Sequence, residues 1–245
     1  MKKAIIDGDM FLYKSAFSSE VETRWDDDVW TLHTDLNQAK LDIEQSFSAI
    51  LSTLQVDDMV VALSDSDNFR KDLFPEYKAN RNNVRKPLGI KGLRQWIQKS
   101  YPHLILERLE ADDVCGILCT LHPDYVAVSG DKDFGTLPIT WFNHLTQELK
   151  TITKAEADFF HKIQTLTGDA TDGYTGLPGF GPKTAQKLLH KEGCSWETVV
   201  GAYEKKGFTE EDALTTARLA YILREENYNN GEIKLWEPQA TNQKL

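Results

Sequence analysis

The chain has no apolar run approaching a membrane span, and its opening Met1-Lys2-Lys3-Ala4-Ile5-Ile6-Asp7 lacks the long apolar region of a signal peptide. These absences make a cytoplasmic location the expectation and leave no role for a membrane. Three cysteines, Cys115, Cys119 and Cys194, cannot build a disulfide framework, which agrees with a reducing compartment. Internal repeats, low-complexity tracts and long Pro/Gly linkers are also missing, so the parts of the chain are expected to share an interface. What remains, 245 residues that are 40% hydrophobic and 27% charged, can bury a sizeable core as one large domain or as one large and one small.

Acids are plentiful and placed with a pattern. Three short apolar runs end in carboxylates: Ala4-Ile5-Ile6 before Asp7-Gly8-Asp9, Val60-Val61-Ala62-Leu63 before Ser64-Asp65-Ser66-Asp67, and Val126-Ala127-Val128 before Ser129-Gly130-Asp131-Lys132-Asp133. Runs of this kind, without polar alternation, suit parallel strands covered on both faces. Ligands of such sheets gather beyond the strands' carboxyl ends, so the three acidic tips are expected to converge. A fourth cluster, Glu110-Ala111-Asp112-Asp113, opens an apolar-periodic helix, and a fifth is Gly168-Asp169-Ala170-Thr171-Asp172-Gly173. So many like charges in one pocket would repel unless cations were bound, and oxygen-only ligands select hard divalent ions, Mg²⁺ or Mn²⁺, over zinc.

The net charge of −10 conceals a segregation. From Phe69 to Arg108 there are ten Lys/Arg against three acids, which makes that segment net +7. A basic strip beside an acidic pocket is the layout a nuclease needs, with metals inverting the pocket's sign and lysines and arginines holding the phosphate backbone. A solvated basic face is the competing reading. Within the strip, Phe69-Arg70-Lys71 and Phe74-Pro75-Glu76-Tyr77-Lys78-Ala79-Asn80-Arg81 follow the Asp65 tip closely. Lys78 or Arg81 could stabilise charge on a scissile phosphate, Tyr77 or Phe69 could stack on a terminal base, and Arg70, Arg85 and Lys86 could hold DNA.

Gly176-Leu177-Pro178-Gly179-Phe180-Gly181-Pro182-Lys183 is a Gly-x-Gly turn entering a helix with proline in its first turn, a helix-hairpin-helix signature at about 165–191. Gly179 and Gly181 would let backbone amides approach a phosphate, and the helix N-terminus adds partial positive charge. Lys183, Lys187 and Lys191 recur at i, i+4 and i+8 on one face, opposite Ala185, Leu188 and Leu189. Cys115, Cys119 and His122 also share a helical face, but structural zinc takes four ligands and no fourth is near, so a buried small-residue stripe is the reading.

Strands are expected at 3–7, 59–64, 104–106 and 125–129, with helices at about 35–54, 91–101 and 110–121, a hairpin within 21–33, and mostly helices from about 154. The fold class is therefore α/β: a doubly wound, mainly parallel sheet flanked by helices over 1–150, followed by a helical DNA-binding lobe over 151–245.

In order along the chain, Ile6-Asp7-Gly8, Asp65, Phe74-Pro75-Glu76-Tyr77-Lys78-Ala79-Asn80-Arg81, Glu110-Ala111-Asp112-Asp113, Gly130-Asp131-Lys132-Asp133 and Gly168-Asp169 through Lys183 resemble the 5′-nuclease superfamily of flap endonucleases and 5′→3′ exonucleases, whose core is PIN-like. The insert Arg24-Trp25-Asp26-Asp27-Asp28-Val29-Trp30 and the stretch from Ala217 to Pro238 look closer still to the stand-alone exonucleases of short-tailed bacteriophages, which would place the protein in the host cytoplasm. The resemblance implies that Asp7, Asp65, Glu110, Asp112 and Asp131 bind a first metal ion and that Asp133, Asp169 and Asp172 build a second site. Asp113 joins the metal set as a support, and Lys78 and Arg81 engage the reacting phosphate. The expected cofactors are two Mg²⁺ or Mn²⁺, with K⁺ a further candidate at the helix-hairpin-helix. The expected partner is duplex DNA with 5′ ends or flaps, with RNA–DNA hybrid as a second substrate, and the protein is expected to be a monomer. The chain departs from the family where Asp172 is followed by Gly173 and not by asparagine. Two rival readings are a haloacid-dehalogenase-like phosphatase, built on Asp7-x-Asp9, and a non-catalytic DNA-binding protein.

Overall fold

The computed structural model describes residues 2–239. Strand β1 (Lys3–Asp7) runs parallel to β4 (Asp58–Ala62) on one side, with Asp7 opposite Ala62, and to β6 (Val126–Val128) on the other, with Ile6 opposite Val128. The sheet continues through β5 (His103–Leu104) beyond β4 and through β7 (Thr140–Asn143) and β8 (Glu148–Thr151) beyond β6, giving the order β5-β4-β1-β6-β7-β8. Only β8 runs antiparallel. The chain builds one half of the sheet to one side of β1 and the other half to the opposite side. The gap between β1 and β6 is therefore the topological switch point at which open α/β sheets bind ligands.

Ala4, Ile5 and Ile6 are wholly buried, as a strand covered on both faces requires. One face packs under helices α1 (Gly8–Ser18), α2 (Leu36–Leu54) and α4 (Ile90–Ser100) through Phe11, Leu12, Ile43, Phe47, Leu93 and Ile97. The other packs under α5 (Ala111–Leu121) through Val114, Cys115 and Ile117. The bend from β1 into α1 leaves no room for a side chain at Gly8, where a Cβ would lie 2.4 Å from Val61 and 2.8 Å from the Ala62 carbonyl. Glycine there is a packing requirement, and it sets the direction in which α1 departs from the Asp7 tip.

Helices α6 (Lys154–Thr167), α7 (Pro182–Glu192), α8 (Trp196–Glu204) and α9 (Glu210–Ala220) enclose a separate cluster that includes Leu166, Leu177, Ala185, Leu189, Val199 and Ala213. Capping boxes at Thr153 with Glu156 and Thr209 with Asp212 start α6 and α9. Tyr221, Ile222 and Leu223 then return to the sheet and pack with Val114 and Ile117, so the segment after α9 is part of the core beneath α5.

The expected hairpin is β2 (Glu20–Arg24) paired with β3 (Trp30–Thr34), and its Asp26 accepts from the Asp28 and Val29 amides as a turn residue does. The sheet continues beyond 125–129, the last strand expected from the sequence. β7 and β8 extend it, because Trp141 and Phe142 are buried beside β6 while β8 is an exposed edge strand with little hydrophobic signature. Among the described residues no helix is long and apolar enough to cross a membrane.

Candidate metal centre and nucleic-acid surface

Asp7 closes β1 and caps α1. Its carboxylate accepts from the Met10 amide at 3.5 Å and from the Ser129 hydroxyl at 2.8 Å, and the residue is 4% exposed. Burial pushes its pKa up to about 7 against the Ser129 hydrogen bond, and the negative charges of Asp9 and Asp131 add to the rise. Asp112, in the first turn of α5, is raised well above the usual carboxylate range by burial and by the same neighbours, Asp7 and Asp131. Asp131 starts a short 3-10 turn, accepting from the Asp133 amide at 2.9 Å. Burial and the charge of Asp131 push Asp133 up to about 7, and the Gln164 amide of α6 donates to it. The tips of β1 and β6, the start of α5 and the turn after β6 thus converge on one acidic pocket.

The other acids meet basic side chains. Glu110 accepts from Lys78 Nζ at 2.5 Å and from the Tyr77 hydroxyl at 3.0 Å. Burial works against its charge, but Lys78 and Arg70 overcome it and hold the pKa down to about 2. Asp172 lies 2.5 Å from Arg81 Nη2, yet its pKa is raised, because burial outweighs Lys78 and Arg81. Asp169 accepts from Lys132 at 2.8 Å and from the Thr171 amide at 2.7 Å, which together overcome burial and lower it. Gly173 sits at φ 80°, so the departure from asparagine falls at a left-handed position, which glycine and asparagine tolerate best. Among the described residues, no group of three or more His, Cys, Asp or Glu side chains is arranged to hold an ion as it stands. The chemistry of the donor set nevertheless fits one. Asp7, Asp112 and Asp133 are carboxylates in a desolvated pocket of like charge, and such a pocket favours a hard cation.

Three expectations are corrected. Arg70 cannot hold DNA, because it is 2% exposed and its five N–H donors are directed into the protein: Nε to the Leu219 carbonyl at 3.2 Å, Nη1 to Asp113 at 2.7 Å and Glu110 at 3.4 Å, and Nη2 to Asp113 at 2.8 Å and the Tyr221 carbonyl at 2.7 Å. Asp113 is not available as a metal ligand. One of its oxygens accepts from Arg70 and the Leu223 amide, the other from Arg70 and the Glu110 amide, which uses all four lone-pair positions. Tyr77 and Phe69, at 3% and 5% exposed, cannot stack on a base. The Tyr77 hydroxyl instead lies within hydrogen-bonding distance of both Glu110 and Asp172, 3.1 Å from the latter, with one proton to donate to either.

Asp65 lines the cavity that opens beside Glu110, with its oxygens accepting from the Ser66 amide at 2.7 Å and the Arg108 amide at 2.8 Å. Asp9 stands two residues beyond Asp7 and is partly buried. It accepts from the Ser64 amide at 3.1 Å, faces Arg94 at 3.4 Å, and is raised by burial. The Asp-x-Asp spacing after β1 was its signal. Arg94, which also donates to the Ser64 carbonyl at 2.5 Å, had no local signal.

A cavity of about 460 Å³ opens beside Glu110 and is lined by Asp65, Lys71, Lys78, Arg81 and Lys86 among others. Arg85 is exposed and engages both oxygens of Glu20, at 2.7 and 2.6 Å. On α7, Lys183, Lys187 and Lys191 are exposed while Ala185 and Leu189 are buried, so the helix presents the face expected of it; Gly179 and Gly181 lie exposed at its entry. Cys115 and Cys119 are buried in the core beneath the sheet, as a small-residue stripe would be.

An acidic pocket at the switch point of a parallel sheet, beside lysines and arginines aimed at it, defines a class of enzyme: a nuclease that cuts phosphodiesters. The family model described as "5'-3' exonuclease, N-terminal resolvase-like domain" matches residues 2–164, and the chain belongs to that family. It is 31% identical to the exodeoxyribonuclease of Enterobacteria phage T3, over 96% of this chain and 93% of the phage protein. A bacteriophage T5 protein co-crystallised with metal ions shares the fold, with a TM-score of 0.67 and 15% identity, over 90% of this chain and 89% of that one. The bacteriophage T5 flap endonuclease in a pseudo-enzyme-product complex with DNA and metal ions matches with a TM-score of 0.63 and 14% identity over the same shares.

Proposed function

We propose that the protein is a divalent-metal-dependent 5′→3′ exonuclease on duplex DNA that also cuts 5′ flaps and removes RNA from RNA–DNA hybrids, acting as a monomer in the cytoplasm of a phage-infected host. The observation that carries this reading is the burial of Asp7 and Asp112 among acids, with no basic side chain among the described residues hydrogen-bonded to Asp7. Asp7, Glu110, Asp112 and Asp131 would hold a first Mg²⁺ or Mn²⁺, with Asp65 acting through water. Asp133, Asp169 and Asp172 would hold a second, and K⁺ would sit at the helix-hairpin-helix turn. When bound, such ions polarise the phosphate and lower the pKa of an attacking water.

The chain's own residues do the rest. Lys78 and Arg81 stand against Glu110 and Asp172, so each can turn to a phosphoryl oxygen held between those acids and stabilise the charge that develops there. The Tyr77 hydroxyl lies between Glu110 and Asp172, where its one proton can be donated to either carboxylate. Lys86, which lines the cavity beside Glu110, would hold DNA there together with Arg85, and Gly179, Gly181, Lys183 and Lys187 would grip duplex backbone away from it, which makes binding indifferent to sequence. Residues 1–150 would carry most of the chemistry and 151–245 the grip, with Asp169 and Asp172 reaching the second metal from the helical part and Tyr221–Leu223 joining the two.

The test is release of nucleotides from duplex DNA in Mg²⁺ and in EDTA, alongside 4-nitrophenyl phosphate. Metal-dependent loss of DNA with the small ester untouched supports a nuclease. Hydrolysis of the small ester alone would favour a phosphatase, and binding of DNA without cleavage a non-catalytic protein.

A further inference from the structure

Arg70, Asp113 and the segment after α9 form a closed unit beneath Glu110. Three parts of the chain distant in sequence meet there: α3 (Arg70–Leu73), the start of α5, and residues 219–223. Neither charged side chain has hydrogen-bonding capacity left over. Taking both charges out of water costs several kcal/mol by general experience. That cost is offset only by the bidentate pairing, at 2.7 and 2.8 Å, and by the remaining bonds to carbonyl, amide and Glu110. Such a unit has one good geometry, since moving any partner strands a buried donor or acceptor.

Glu110 is tied to this unit at both ends. Its backbone amide donates to Asp113 at 3.2 Å, and its Oε2 faces Arg70 Nη1 at 3.4 Å, which leaves Oε1 for Lys78. Arg70 is in turn held by the carbonyls of Leu219 and Tyr221, and Asp113 by the Leu223 amide. A displacement of residues 219–223 would therefore reach the Glu110 carboxylate through only two side chains. Lysine could not replace Arg70, since three donors on one nitrogen cannot serve acceptors spread around a planar fork.

We propose that Arg70 is a positioning residue: it sets Glu110 for metal binding, and it makes residues 219–223 of the helical lobe's end part of the catalytic apparatus. This rests on the nuclease reading above. The unit links the lobe that would grip DNA to the pocket that would cut it.

Two variants test it, Arg70→Lys and the double variant Arg70→Met/Asp113→Leu, in which no unpaired charge is left buried. For each, four quantities are compared with the wild type: cooperative thermal unfolding, duplex affinity in Ca²⁺, Mn²⁺ affinity by electron paramagnetic resonance, and single-turnover cleavage in Mg²⁺. Amide exchange at Tyr221–Arg224 reports on the tail. The expected result is duplex affinity within about twofold, cleavage lowered at least tenfold, Mn²⁺ affinity lowered at least fivefold, and faster exchange at Leu223 in both variants. Folded variants with wild-type Mn²⁺ affinity and cleavage, whatever their tail exchange, would overturn the proposal. So would loss of cooperative unfolding in both, which would make the unit a requirement of the fold alone. If the wild type shows no metal-dependent cleavage, the nuclease reading fails separately.

Discussion

The backbone amide of Lys78 donates to the carbonyl of Asp172 at 2.8 Å, and this bond holds Lys78 in a left-handed conformation, φ 57°, that lysine rarely adopts. The side chain is thereby aimed at Glu110, 2.5 Å away, and Asp172, 3.6 Å away. Strain of this kind persists where the surroundings over-determine it, and it gathers at functional sites.

Stability and turnover should therefore separate at position 78. Lys78→Gly relieves the backbone and Lys78→Ala does not, so the glycine variant should be more stable than the alanine variant by about 1 kcal/mol. Both should lose far more in turnover than in duplex affinity, because the lysine's interaction strengthens as charge develops on the phosphate. Denaturant titration and single-turnover kinetics of the pair check this. A fall in affinity alone would make Lys78 a docking residue.

Asp131→Asn should abolish cleavage while duplex affinity stays equal or rises, since the substitution removes negative charge facing phosphates. Asp65→Asn should cost less, because the Asp65 oxygens already accept from the Ser66 and Arg108 amides. Cleavage rates at saturating Mg²⁺ and binding in Ca²⁺ measure both. A larger loss from Asp65→Asn than from Asp131→Asn would reverse their proposed ranks.

The exposed stripe Lys183, Lys187 and Lys191 should grip and not cut. Each phosphate contact adds about 0.9 to the log–log salt slope, so the triple alanine variant should flatten it by up to roughly 2.7. Binding to a non-cleaved duplex across a salt series reads this out, and single-turnover cleavage at saturating DNA should change little. An unaltered slope would reduce the stripe to a solvated face.

Acid should destabilise the protein through His161. It is buried in α6, its Nε2 lies 2.8 Å from the Ala217 carbonyl, and burial lowers its pKa to about 4. The fold holds the neutral ring, so this contribution is complete above pH 6.5, where the unfolded histidine titrates, and is lost as pH falls towards 4. The whole effect is about 3 kcal/mol. His161→Gln keeps an N–H donor and should flatten the dependence of stability on pH between 6.5 and 4.5. Parallel curves for the two proteins would count against it.

Where one residue type serves one local demand, the sequence displayed the site plainly. Ala4-Ile5-Ile6 and Val126-Ala127-Val128 announced parallel strands, and the acids that follow them converge at the switch point between β1 and β6. The α7 stripe was legible for the same reason, since helical spacing alone sorts Lys183 and Lys187 from Ala185 and Leu189. Arg70, Tyr77 and Asp113 were misread because polar residues next to a functional motif look alike whether they face solvent or close a buried network. The partners of Arg70 and Asp113, Leu219, Tyr221 and Leu223, are remote in sequence, and so is Asp172 beside Tyr77. β8 is not legible because an edge strand facing water needs little apolar signature, and β7 because its apolar run is only the pair Trp141-Phe142.

The central claim, metal-dependent cleavage from the 5′ end, is tested most directly by digesting two copies of one duplex, labelled at the 5′ or the 3′ terminus, in Mg²⁺. The account predicts that the 5′ label is released at once as a short product carrying a 5′-phosphate, that the 3′ label persists on shortening strands, and that EDTA stops both. Early release of the 3′ label, or equal digestion in EDTA, would contradict it.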